Sequence, residues 1–186
     1  MYMYAYSLYE DSPAYNLDQT NTYTAIEAMQ NFINTYPNSA YKEDVGKIIG
    51  QLRAKLERKA YENAELYSKT ENYKAAVVAF ENFQRNFPDS DFSERAAYLM
   101  LVNAYNLAKS STEDKKQQRF RDTIEHYENF IDKYASSKYI REAENIYDNA
   151  VDAVGDAAGA ELQSKKNNLL TINSLTTIYI WLQYLL

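Results

Sequence analysis

One stretch of sequence occurs three times in this chain, with small variations. The copies read AIEAMQNFINTYPNSAY at 25–41, AVVAFENFQRNFPDSDF at 76–92 and TIEHYENFIDKYASSKY at 123–139, so their starts lie 51 and 47 residues apart. Internal repeats with periods of about 20–50 residues are typical of stacked arrays, in which each unit buries its apolar face on the next. The function of such a chain is expected to depend on surfaces and partners.

Each copy carries one apolar stripe with the period of an α-helix. A Pro-Asn-Ser or Pro-Asp-Ser sequence ends the first two copies, and Ser39 and Ser90 are predicted to cap the helix that follows. The third copy has Ala-Ser-Ser at this point. The stripe residues predicted to form the core are Ile26, Met29, Phe32, Ile33 and Tyr36 in the first copy, Val77, Phe80, Phe83 and Phe87 in the second, and Ile124, Tyr127, Phe130, Ile131 and Tyr134 in the third.

The pattern predicts an all-α fold, a right-handed tetratricopeptide-like superhelix of antiparallel helix pairs. The intervals exceed the usual period of about 34 residues. We expect the extra residues of the first interval to lie in a long helix at 40–70, and those of the second interval to lie in a polar loop at 110–118. The predicted domain covers 1–155, and 156–186 forms a C-terminal tail. Helices are expected at 2–10, 22–36, 40–70, 72–87, 91–109, 116–134 and 138–153, with a loop at 11–21.

Composition argues against several classes of function. The formal net charge is −6, so a general nucleic-acid surface is not expected. The chain has no cysteine and one histidine, His126, so no metal or cofactor site and no catalytic centre is predicted. The basic stretches Arg53–Lys59 and Lys115–Arg121 are interpreted as solvated helix faces. Gly46 and Gly50 are expected to let a neighbouring helix approach closely.

A superhelix of this kind is expected to offer a concave groove lined by the first helix of each pair, and tyrosine and arginine are good anchors for a bound peptide. The chain contains 19 tyrosines, and the alternative for each of them is core packing. The candidate partner-binding residues are Arg58, Tyr61, Glu62, Glu65 and Tyr67 on the 40–70 helix, and Tyr98, Asn103 and Tyr105 on the 91–109 helix.

The sequence resembles the BamD-like outer-membrane assembly lipoproteins, a tetratricopeptide-repeat family. The resemblance is carried by YEDSPAYNLDQTNTYTAIEAMQNFINTYP at 9–37, by LRAKLERKAYENAELYSKTENYKAAVVAFENFQRNFPDS at 52–90 and by YENFIDKYASSKYIREAENIY at 127–147. It extends over about residues 1–153. The aromatic-Pro ends of the copies are by themselves generic to tetratricopeptide repeats, whereas their combination with the DSPAYNLDQTNT loop and the long KLERKAYENAELY helix is more specific.

The resemblance implies a non-catalytic scaffold at the periplasmic face of the outer membrane. Its expected partners are a BamA-like barrel-assembly protein and unfolded outer-membrane protein segments. The family carries a lipid anchor on an N-terminal cysteine, which this chain lacks, and the sequence is expected to start inside a helix. The alternative is a tetratricopeptide adaptor unrelated to barrel assembly. An enzyme is a third class, for which no catalytic constellation emerges.

The tail changes composition abruptly. Residues 169–186 read LLTINSLTTIYIWLQYLL, with no charged side chain after Lys166. A transmembrane helix needs about 20 mostly apolar residues, so a span is marginal. A capping helix on the last repeat and a tail foreign to the family fold are the alternatives. We expect a poorly coupled tail, so deletion of 164–186 should leave fold and partner binding intact.

Overall fold

The computed structural model describes residues 1–156, and in this part of the chain seven helices pack in sequential pairs. This confirms the predicted all-α, tetratricopeptide-like fold class. Short turns join most of the helices, so sequence neighbours pack side by side. The helices are α1 Tyr2–Glu10, α2 Thr20–Thr35, α3 Lys42–Lys69, α4 Tyr73–Asn86, α5 Ser93–Lys109, α6 Glu113–Lys133 and the described part of α7 at 140–156.

The described residues divide into two compact units, the first Met1–Asn103 and the second beginning at Ala104. The first unit has two apolar cores. One joins α1, α2 and the first half of α3, around Met29 and Leu52, and the other joins the second half of α3 to α4 and α5, around Phe80 and Phe83. In the described part of the second unit, a core cluster forms around Phe120 and Ala150.

The repeated stripe is the buried side of each copy. Residues at i, i+4 and i+7 are buried in α2 and α4, as Ala25, Met29 and Phe32 and as Ala76, Phe80 and Phe83. The third copy buries Thr123 and Phe130 at the first and last of these positions. Other predicted stripe residues, among them Ile26, Ile33, Val77 and Ile124, are half-buried, and Tyr36 is exposed. The stripe prediction is therefore correct at its centre and too wide at its edges.

The turns after α2, α4 and α6 share one hydrogen-bond pattern. The Oγ atoms of Ser39, Ser90 and Ser137 accept bonds from the backbone N–H two residues later, at 3.2, 3.0 and 3.1 Å. The N–H of each serine in turn donates to the carbonyl three residues before it. The serines thus stabilise the turn, whereas the N-cap of α3 is Tyr41 and has no side-chain capping bond, so the prediction that Ser39 caps the helix directly is wrong.

Helix α1 makes the same kinds of contact as the second half of α3. This relation was not predicted from the sequence. Tyr2 stacks on Tyr41 with 4.2 Å between ring centroids and 12° between planes. Tyr61 stacks on Phe92 in the same way, at 4.6 Å and 18°. Three residues further along each helix lies a buried alanine, Ala5 or Ala64. Aromatic stacking at the start of the next helix is therefore a shared feature of the first two copies.

Two local expectations are wrong. The predicted loop at 110–118 is mostly helix, because α6 begins at Glu113, so the second excess in repeat length lies largely within that helix. Gly46 and Gly50 are exposed, and a Cβ built on either would meet no atom within 4 Å. No neighbouring helix approaches them in the described structure, so the GxxxG spacing has no packing role there.

The helices of residues 1–156 include none that is both long and apolar enough to cross a membrane. The predictions for the tail at 164–186, including the marginal span and the capping helix, lie outside the described residues. The predicted domain boundary at residue 155 stays a prediction.

Candidate partner-binding groove

A groove of about 690 Å³ lies between the second half of α3 and the start of α5, within the first unit. Its volume is in the range of ligand-binding pockets, about 300–1,000 Å³. Helix α3 supplies most of the lining, and the rest comes from Phe92, just before the partner helix α5, and from Arg95 in its first turn. The lining residues are Arg58, Tyr61, Glu62, Asn63, Glu65, Leu66, Lys69, Phe92 and Arg95.

The groove lining includes two exposed apolar side chains, Leu66 and Phe92, together called the apolar strip. Leu66 is 56% exposed and Phe92 is 37% exposed, which is high for large apolar side chains. Phe92 rests on Tyr61, whose ring is itself buried and also contacts Phe80 and Phe83 edge-on. The Phe92 end of the strip is thus an exposed edge of the core, supported from beneath.

Arg58 lies in the groove and is fixed by two partners. Its Nε donates to Glu62 Oε1 at 2.8 Å, and its Nη2 donates to the Tyr15 hydroxyl at 3.3 Å. The guanidinium carbon also lies 4.1 Å from the centre of the Tyr15 ring, a cation–π geometry. The hydrogen bond from Arg58 lowers the pKa of Glu62, and the same bond raises the pKa of Arg58. Both groups therefore remain charged at neutral pH.

Glu65 connects the other two cations of the groove. Its Oε2 accepts from Lys69 Nζ at 2.7 Å and its Oε1 accepts from Arg95 Nη2 at 2.7 Å. The Glu65 side chain is mostly buried, whereas Lys69 and Arg95 are largely exposed. Arg95 also lies 5.9 Å from the centre of the Tyr61 ring. The result is a charged wall that ties α3 to α5 across the groove.

The loop between α1 and α2 is fastened to α3 beside the groove. Lys55 Nζ donates to the Oγ of Ser12 at 2.7 Å and to its carbonyl at 3.3 Å, and Lys59 donates to the carbonyl of Leu17. Lys55, Arg58 and Lys59 lie at i, i+3 and i+4 on one face of α3, so all three reach the loop. Lys55 and Lys59 are half-buried, so the interpretation of Arg53–Lys59 as a solvated face is wrong for these two residues, whereas Arg58 stays exposed.

The structure brings together four of the eight predicted partner-binding residues. Arg58, Tyr61, Glu62 and Glu65 line the groove, although Tyr61 offers little exposed surface. Tyr67 instead lines a second cleft, with residues of α4. The prediction for these positions as binding residues stays a prediction.

The three candidates on α5 lie elsewhere. Asn103 is 0% exposed, with its amide donating to Ser68 Oγ and to the Leu99 carbonyl, so it is a core residue and its assignment to a groove is wrong. Tyr98 is half-buried and is not part of the groove lining. Tyr105 packs on Phe120 in the second unit, with 6.0 Å between ring centroids.

Sequence reasoning missed the other five residues of the lining, which are Asn63, Leu66, Lys69, Phe92 and Arg95. The sequence places Phe92 only in the first turn of the predicted helix at 91–109, and local pattern does not set its exposure. The i, i+4 spacing of Glu65 and Lys69 is a sequence signal for the part of the charged wall that lies on α3. No sequence rule places Arg95 of α5 opposite Glu65.

His126 lies half-buried on α6, where the other copies have alanine. Within residues 1–156, no group of three or more His, Asp or Glu side chains is arranged to hold a metal ion.

Comparison with protein-family models identifies the family of this chain. The model described as "YfiO: Outer membrane lipoprotein" matches residues 1–110 and residues 69–156, which together span all of the described structure. This is a family of non-catalytic assembly lipoproteins, and the match confirms the resemblance seen in the sequence at 9–37, 52–90 and 127–147. The chain therefore belongs to the YfiO family of outer membrane lipoproteins.

Proposed function

We propose that this chain is a non-catalytic scaffold of the outer-membrane β-barrel assembly machinery, acting at the periplasmic face of the membrane. In this role it binds the periplasmic domains of a BamA-like protein and segments of unfolded barrel proteins. Family membership supports the assembly role. The observation that carries the binding function is the groove between α3 and α5, with its exposed apolar strip and ordered charges.

Rigidity of the groove favours binding. The groove lies along a helix that packs on both cores of the first unit, so its side chains lose little further freedom when a partner binds. Leu66 and Phe92 offer apolar surface, and the surrounding charges set orientation. A shallow, partly polar site of this kind suits weak and reversible binding of an extended segment, as a scaffold for transient substrates requires.

The test measures binding of the full chain to the purified periplasmic domains of a BamA-like partner and to peptides from unfolded barrel strands. We expect both to bind and Leu66→Ser to weaken peptide binding several-fold. Leu17→Ser is the matched control, because Leu17 is 55% exposed but lies in the loop after α1, outside the groove lining. Unchanged peptide binding in Leu66→Ser would remove the groove from the proposal.

The alternative is a tetratricopeptide adaptor unrelated to barrel assembly. Recovery of the BamA-like domains by the wild-type chain argues for the assembly scaffold. If the chain recovers none of these domains while it binds unrelated extended peptides, the adaptor function replaces it.

A further inference from the structure

Two arginines of the groove are held in the same way, each by a carboxylate from α3 and by the face of a tyrosine. Arg58 is bonded to Glu62 and stacked on Tyr15. Arg95 is bonded to Glu65 and faces the ring of Tyr61. Both guanidinium groups are therefore oriented before any partner arrives.

Each guanidinium keeps hydrogen-bond donors to spare. The group carries five N–H donors in a fixed plane. Within residues 1–156, Arg58 uses Nε and Nη2 and Arg95 uses Nη2, which leaves Nη1 of both available. An arginine that is already immobilised loses less side-chain entropy when it binds a carboxylate, so the pair is preorganised for an anionic ligand.

The charge balance of the groove is opposite to that of the whole chain. The lining contains three cationic side chains and two anionic ones, whereas the full sequence carries a net charge of −6. A local cationic excess on an acidic protein steers an acidic partner toward this site and away from the rest of the surface. The apolar strip of Leu66 and Phe92 lies in the same groove, so a simple inorganic anion would leave that surface unused.

We propose that the groove binds an acidic segment of a partner protein. An apolar or aromatic side chain of the segment lies against Leu66 and Phe92, and its carboxylates take the spare donors of Arg58 and Arg95. The groove volume of about 690 Å³ suits a short segment with a few side chains. This inference rests on the proposed scaffold function and adds to it the chemistry of the segment that is bound.

The probe is a short fluorescein-labelled peptide with a central phenylalanine flanked on both sides by glutamates. Its counterpart has glutamine at every glutamate position, and a third peptide keeps the glutamates but replaces phenylalanine with serine. Binding to the full chain is followed by fluorescence anisotropy at low and at physiological salt. We expect the glutamate–phenylalanine peptide to bind about tenfold more tightly than either counterpart, because charged hydrogen bonds and apolar contact both contribute.

The protein variants separate this arginine clamp, formed by Arg58 and Arg95, from general charge. Arg58→Gln and Arg95→Gln are each expected to weaken binding about tenfold. Arg85→Gln is the matched control, because Arg85 is a similarly exposed arginine on α4 paired with Glu81, outside the groove. Tyr15→Ala is expected to weaken binding several-fold without removing any charge, since it frees the Arg58 guanidinium. Matching thermal melts of the variants confirm that each remains folded.

Equal binding of the glutamate and glutamine peptides, or an equal loss in Arg85→Gln, would overturn the clamp. Displacement of the peptide by a short oligonucleotide at the same concentration would also overturn it, because the groove would then be a general anion site.

The same variants are tested against the BamA-like domains. If the wild type binds those domains but the peptide results fail, the scaffold stands without the clamp. If the domains fail and the peptide results hold, the clamp stands and the assembly function falls.

Discussion

Replacement of Phe80 tests most directly whether the repeated apolar stripe forms the core. It lies at the centre of the second copy's stripe, is 0% exposed, and packs against Tyr61 with 6.2 Å between ring centroids. Replacing it with alanine removes the ring from a core that joins α3, α4 and α5. Because α3 and α5 also build the groove, loss of this contact affects both stability and function.

The magnitude follows from the area that the ring buries. A buried aromatic side chain removes roughly 150–250 Å² from water, of which the ring beyond Cβ accounts for about 100–150 Å². At about 25 cal/mol per Å² the transfer contribution is about 2.5–4 kcal/mol. The unfilled cavity adds to this, so Phe80→Ala should cost about 3–5 kcal/mol of unfolding free energy. For a chain of this size the expected fall in melting temperature is about 6–20 °C.

The assay is urea denaturation followed by helical circular dichroism, with a thermal scan beside it. The midpoint should fall while the slope of the transition stays unchanged, which marks a change in stability alone. Tyr23→Ala is the control: it also removes an aromatic ring from a helix, but Tyr23 is 62% exposed, so a change within about 0.5 kcal/mol is expected. A Phe80→Ala midpoint equal to that of the control would show that the stripe is not the core.

Three further sets of substitutions test individual positions of the first unit. Gly46→Ala and Gly50→Ala should each raise stability by about 1 kcal/mol in urea titrations, because both glycines are helical and open to solvent. A loss of stability would contradict their open surroundings. Asn103→Leu should lower stability by about 1–2 kcal/mol, because it removes the hydrogen bond that the buried amide donates to Ser68 Oγ, and an increase would show that burial of the unpartnered Oδ1 costs more than that bond contributes. Lys55→Met should release the loop that Lys55 holds through Ser12, which would speed hydrogen exchange or proteolysis at 11–19. The free energy of unfolding should fall by less than about 1 kcal/mol. An unchanged exchange rate would refute the fastening role.

The recurrence of one stretch of sequence determined much of this protein by itself. Helical period and burial at i, i+4 and i+7 depend on local geometry, so Met29, Phe32, Phe80 and Phe83 could be assigned to the core from spacing alone. The DSPAYNLDQTNT loop and the long charged helix were specific enough to indicate the family. Both inferences use information that lies within a few turns of chain.

Tertiary structure decided what spacing cannot encode. The GxxxG motif meets no partner helix in the described structure, because the faces of α3 that pack are chosen by its neighbours and not by its own glycines. Asn103, assigned from the sequence to a groove, is buried, since its environment includes Ser68, a residue distant in sequence. The groove depends on Arg95 of α5 meeting Glu65 of α3, an arrangement fixed only once the helices pack. Local sequence determines which side of a helix is apolar, whereas the identity of its partner is a property of the packed fold, because contact energies between helices depend on three-dimensional fit.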